Sequence, residues 1–305
     1  MSRIVITGIG SLRNPGEKFV RDELARFGSR MTQAKLSTDI ERISVLASAY
    51  ALESAGILSP LGDDSISIYA GIDEGIDSIK FRYYEGVLKE GPLGASPALF
   101  PLTSPNAVSA QIAIDFDARG ECITFPAGML SGARAISYAS ECIMLGKTDI
   151  ALAGGATCID DELREALKDS GNADAGKLIS GAAFLVLESD EHAKGRGAKI
   201  YGRVVWYFEA FWGEHNIKGA VDEIISACAG ESGIKKDDIG FINILTQENI
   251  SIRNPKVKIF KSSALSASFA ILISDYLLER DSGDLALFIA NDPSGNVLAV
   301  LVESL

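Results

Sequence analysis

Short apolar runs recur along this chain, and between them lie segments whose apolar residues repeat at helical spacing. The runs are Arg3–Ile9, Ser67–Gly71, 122–127, 149–155, Ala182–Leu187, Ile200–Phe211, Phe241–Leu245, Val257–Phe260, Ala286–Ala290 and Val297–Val302. Continuous apolar runs of this length fit strands buried on both faces. Residues 39–56 carry Ile40, Ile43, Leu46, Ala47, Tyr50, Ala51 and Ala55 on one helical face, and Gly56 stops the helix. Further helices are predicted at 78–90, 107–116, 129–145, 163–168, 217–231 and 264–279, with a four-proline loop from Pro92 to Pro105. Strands that alternate with helices define an α/β protein with largely parallel sheets. The order hints at an internal repeat, which places one half at 1–160 and a shorter one at 161–305. No polar linker separates them.

One strand-to-helix junction stands out. Gly120-Glu-Cys-Ile-Thr-Phe-Pro-Ala-Gly-Met-Leu-Ser-Gly-Ala133 reads as a buried strand running into a helix N-terminus. Free N–H groups and the helix dipole stabilise an anion at such a place, which suits a nucleophile. The residue at the turn is Met129, and a thioether has no proton to lose and forms no acyl intermediate. Cys122, seven residues earlier, is expected to be a packed, inert thiol.

With 41 acidic against 29 basic residues, the net charge is −12 and the pI near 4.8. No dense basic run exists, so nucleic acid and anionic membrane are excluded as partners. The four cysteines, Cys122, Cys142, Cys158 and Cys228, lack CxxC spacing and any neighbouring histidine. They read as reduced, mostly buried thiols, with no metal site and no cofactor implied. No apolar stretch is long enough for a membrane helix. The first residues lead straight into a strand, so a cytoplasmic location is expected.

Several segments together resemble the β-ketoacyl-acyl-carrier-protein synthases. Ile4-Val-Ile-Thr-Gly-Ile-Gly10 is similar to their opening strand. Ser104-Pro-Asn-Ala and Ile112–Gly120 are similar to the helix and turn before their nucleophile. Ala133–Ala139 with Ile143–Gly155 resembles the nucleophile helix and the Gly-Gly strand after it, and Gly181–Lys199 the next strand and short helix. The resemblance is dense to about residue 205 and thinner beyond. It implies the thiolase fold: two repeated βαβαβαββ halves in a five-layer αβαβα stack. It also implies a dimer in which strand Cys122–Ala127 pairs with its counterpart across a twofold axis.

The same resemblance implies a missing active site. Condensing enzymes of this family use a cysteine to take the acyl chain and two histidines for decarboxylation and enolate stabilisation. The family pattern puts the cysteine at Met129, the first histidine at Leu245 and the second at Ser266, while Lys261 is kept. The C-terminal glycine-rich loop falls at Ile289–Asn296 and is altered. The chain contains only His192 and His215. His192 is expected on a solvated surface helix, and His215 in a loop with no family role. The spans Gly155–Gly181 and Leu245–Lys261 are shorter than the family's.

A non-catalytic subunit resembling a chain length factor follows, paired as a heterodimer with an active ketosynthase, serving an acyl carrier protein and shaping the acyl tunnel in fatty acid, polyketide or aryl-polyene biosynthesis. Two alternatives stay open. One is a stand-alone homodimer that binds an acyl chain or carrier, recognisable by an open apolar tunnel beside Met129. The other is enzymatic: a Cys-less decarboxylase or acyltransferase of the family, whose histidines this chain lacks, or a different enzyme using Lys261 with Glu248 or Asp292.

Overall fold

The computed structural model describes residues 3–33, 36–58, 66–171, 178–213, 217–248, 250–261 and 265–305. Ten strands form one sheet: β1 Ile4–Arg13, β2 Ile66–Ile72, β3 Cys122–Phe125, β4 Ile150–Thr157, β5 Gly181–Ser189, β6 Gly202–Phe211, β7 Phe241–Thr246, β8 Val257–Lys261, β9 Leu285–Asn291 and β10 Asn296–Ser304. Their order is β3-β2-β4-β5-β1-β6-β10-β9-β7-β8. The first five strands run 3-2-4-5-1, and the last five repeat that order in mirror sequence. In each half the fifth strand is antiparallel to both neighbours and the other pairings among the first four are parallel. Mixed half-sheets therefore replace the largely parallel ones expected. The halves join where Ile4–Ile6 pairs antiparallel with Gly202–Val204.

This is the thiolase fold, with two departures from the expected repeat. β5 pairs with β1 and β4, so the strand order divides the chain after β5 and not at residue 160. No helix lies between β7 and β8 among the described residues, so the second half lacks one crossover helix of the first.

Nine helices are described: α1 Glu17–Arg26, α2 Asp39–Ser54, α3 Asp77–Glu90, α4 Asn106–Phe116, α5 Ser131–Met144, α6 Asp161–Asp169, α7 Asp190–Gly195, α8 Ile217–Ser232 and α9 Leu265–Glu279. α2 starts with a capping box: Thr38 N–H donates to Glu41 Oε2 at 2.7 Å and Glu41 N–H to Thr38 Oγ1 at 3.3 Å. Strand periodicity sorts the side chains into three cores. Ile68, Ala70, Leu152 and Phe184 face α1, α2 and α4 on one outer side. Leu287, Ile289, Ala299 and Leu301 face α8 on the other. The alternate positions Tyr69, Ala153, Phe288 and Val300 face a shared middle core that holds α5 and α9. Alternation with period two on both half-sheets gives the five layers.

Candidate functional site

The Met129 junction is built as a tight elbow. β3 ends at Phe125, Gly128 takes φ +58°, and a 3-10 turn over Gly128–Leu130 leads into α5. Ser131 closes the turn: its hydroxyl accepts from Ala127 N–H at 2.8 Å and donates to Gly128 O at 2.6 Å. Met129 is 4% exposed and belongs to the middle core. Leu245, at the end of β7, is 2% exposed and lies in that core too; it pairs with Ala290 of β9, another of its members. A thioether and an isobutyl group thus occupy, in one apolar core, two of the positions that the resemblance gives to the cysteine and a histidine. Ser266 lies in the first turn of α9, and its side chain is outside the described residues. His215 is also outside them.

Lys261 ends β8 and is exposed. The carboxylates considered with it are engaged elsewhere. Glu248 Oε1 accepts from Asn291 Nδ2 at 2.6 Å. Asp292 accepts from Asn296 N–H at 3.0 Å and from its Nδ2 at 2.8 Å. Asn291 was not a sequence candidate. It is buried at the end of β9, and its Oδ1 has no partner. An amide closing the apolar run Leu285–Asn291 is the only signal of it in the sequence.

His192 corrects the surface expectation. It is half-buried, and its Nδ1 lies 2.6 Å from Glu188 Oε2. Glu188 is fully buried and is also held by Thr7 and by both Arg196 Nε, at 2.9 Å, and Nη2. Burial opposes its charge, but the bonds from Arg196, Thr7 and His192 outweigh that and lower its pKa. His192 is therefore part of a structural clasp on β5.

Three cysteines are buried, whereas Cys122 is exposed along the β3 edge. Desolvation still raises its thiol above the ordinary value, so it is no activated nucleophile. Among the described residues no group of His, Cys, Asp and Glu is arranged to hold a metal, and no helix is long and apolar enough to cross a membrane.

Residues 20–175, about half the chain, match the N-terminal domain of β-ketoacyl synthases. The chain belongs to the β-ketoacyl synthase family. It is 28% identical over 225 residues to 3-oxoacyl-[acyl-carrier-protein] synthase 2 of Vibrio cholerae, covering 65% of this chain and 54% of that protein. It is 30% identical over 186 residues to the Rhizobium meliloti protein of the same name, covering 54% and 44%. The chain thus spans about half the length of the curated β-ketoacyl synthases it matches. Two of the solved structures that share its fold illustrate the likeness. One is a ketosynthase in complex with the acyl-carrier protein of a type II polyketide synthase, with a TM-score of 0.77, 16% identity and 100% of both chains covered. The other is the ishigamide ketosynthase/chain length factor, with a TM-score of 0.76, 18% identity and 100% and 99% covered.

Proposed function

We propose that this chain is a non-catalytic ketosynthase-like subunit of the chain-length-factor kind. It pairs with an active β-ketoacyl synthase that acts on a carrier-bound acyl chain in fatty acid, polyketide or aryl-polyene biosynthesis. The observation that carries this reading is Met129, held in the elbow and sealed in the same apolar core as Leu245. Acyl transfer needs an ionisable nucleophile and a base in reach, and neither Met129 nor Leu245 can serve as one. Among the described residues, two cavities of about 370 Å³ are present and Met129 lines neither.

The surface supports pairing. β3 ends the sheet with one edge unpaired, and unpaired strand edges invite another strand. Phe81, Tyr84 and Leu88 are exposed on one face of α3, with Leu93 and Phe100 on the segment after it. Clustered exposed apolar side chains mark interaction surfaces. The partner ketosynthase would add its own strand to β3, and the acyl carrier protein would dock on the pair. These uses are carried over from the family.

The test is co-expression with a ketosynthase encoded beside this chain, followed by size-exclusion chromatography and a condensation assay. A 1:1 complex active only with this chain present is expected. A homodimer that ignores the ketosynthase, or malonyl turnover by the chain alone, would overturn the proposal.

A further inference from the structure

The internal repeat supplies its own control for one cavity. In the first half, β2 and β3 pair in parallel with Tyr69 beside Ile123 and Gly71 beside Phe125. In the second, β7 and β8 pair the same way with Asn243 beside Lys258 and Leu245 beside Phe260. The positions correspond one to one in strand order and register. In the first half this inner corner is packed shut: Tyr138 of α5 meets Tyr69 and Phe125 edge-on or tilted, each with ring centroids 5.4 Å apart. In the second half the Tyr–Ile pair has become Asn–Lys. Between these strands and α9 lies a cavity of about 370 Å³.

The wall that α9 presents is a regular stripe, with Ser268, Ile271, Leu272, Asp275, Tyr276 and Glu279 on one face. Phe241, Leu245, Phe260 and Ile179 complete an apolar floor. Five cations stand around it, Arg13, Lys256, Lys258, Lys261 and Arg280, against two carboxylates, Asp275 and Glu279. Arg13 is neutralised by an ion pair with Asp275. Lys256 Nζ donates to Asp237 O at 2.8 Å. Lys258 and Arg280 sit over the rings of Phe260 and Phe241, at 4.6 Å and 4.3 Å from the centroids. A net positive patch over an apolar floor is out of keeping with a chain of net charge −12. Asn243 and Lys258 also stand where the repeat's first half carries Tyr69 and Ile123, and local departures from a pattern cluster at functional sites. The volume falls at the lower end of the range for small-molecule sites.

We infer that this cavity is a binding site for a small amphipathic anion, a carboxylate or phosphate monoester with an apolar tail of medium length. The tail lies on Phe241, Leu245, Phe260 and Leu272, and the head group meets Lys258, Lys261 and Arg280. Met129 does not line the site, whereas Leu245, which shares the middle core with it, forms part of the floor.

The test is isothermal titration of the full chain with octanoate and with octyl phosphate, using octanol as the neutral control. Saturable 1:1 binding of at least one anion is expected. Octanol should bind at least tenfold more weakly, and the anion's affinity should fall as salt rises from 50 to 500 mM. Which anion binds more tightly identifies the head group. Lys258→Glu, on an exposed lysine, should weaken binding at least tenfold without shifting the melting temperature. Asn243→Tyr with Lys258→Ile, which restores the first half's pair, should abolish it. Octanol binding as tightly as the anions, no binding by either anion, or Lys258→Glu binding like the parent would each overturn the assignment.

Discussion

Gly71, at the end of β2, lies directly under the backbone of Ser131: a Cβ at Gly71 would stand 2.2 Å from the Ser131 carbonyl carbon and 2.3 Å from Gly132 N. The elbow therefore rests on the sheet through a hydrogen atom. Gly71→Ala must push α5 away from the sheet, because the obstructing atoms are backbone and cannot rotate aside. A loss of about 1–3 kcal/mol is expected from such overpacking, read as a lower urea midpoint with an unchanged slope.

Met129 is a filler in this structure, and its substitutions should behave as core substitutions. Met129→Ala should cost about 2–5 kcal/mol, and Met129→Leu under about 1.5 kcal/mol. Met129→Cys should restore no acylation by acyl-carrier substrates, checked by intact mass, because no base accompanies the thiol. An acyl adduct on that cysteine would show that the elbow alone is sufficient.

The Glu188 clasp gives an asymmetric prediction. Removing a partner from a buried charge is worse than the pair's net worth. Arg196→Met, which strands Glu188 with only Thr7 and His192, should cost about 3–5 kcal/mol. Glu188 has a lowered pKa, so its contribution is present above its ordinary value of 4.5 and is lost as pH falls through the folded one. Acid melts of the parent and of Glu188→Gln should converge below that point.

Asp73 and Glu74, just past β2, act in the opposite sense. Burial, with the nearby Asp77, pushes Asp73 up to about 6. Burial, a hydrogen bond with Asp77 and the charge of Asp73 push Glu74 up to about 7. The folded state binds protons here that the unfolded chain has released, so this pair lowers stability as pH rises from about 4 to 7. Asp73→Asn with Glu74→Gln should raise the melting temperature at pH 8 and flatten its pH profile between 5 and 8. A parent profile that rises with pH across that window would refute the assignment.

Where each strand is buried on both faces, the sequence announces it, and β2, β4, β7, β9 and β10 lie close to the predicted runs. β1 runs to Arg13, well past the predicted end at Ile9. Gly8 and Gly10 look like strand breakers, yet they are places where α2 presses on the sheet: a Cβ there would stand 2.2 Å from Ala51 O and 2.0 Å from Ala47 O. α1 was unpredicted because only Val20 and Leu24 of its ten residues are buried, too sparse a stripe to read. Met129 and Leu245 were singled out on the family pattern, and both lie in the middle core. The cavity at Asn243 and Lys258 was not, since it depends on the register of two parallel strands and no local pattern encodes register. Likewise Glu188 and His192 are four residues apart but straddle a strand end and a helix start, where neither periodicity applies.

The three residue pairs that join β1 to β6 make the sheet a folded leaf, with its spine at Ile4–Ile6 and Gly202–Val204 and with α5 and α9 pressed between its pages. The sheet's two fore-edges lie farthest from that spine. Those are β3, whose outer edge is unpaired, and β8, the edge beside the cation-rimmed cavity. A subunit added at β3 and a ligand held beside β8 would therefore sit at opposite ends of the sheet, with the Met129 core between them.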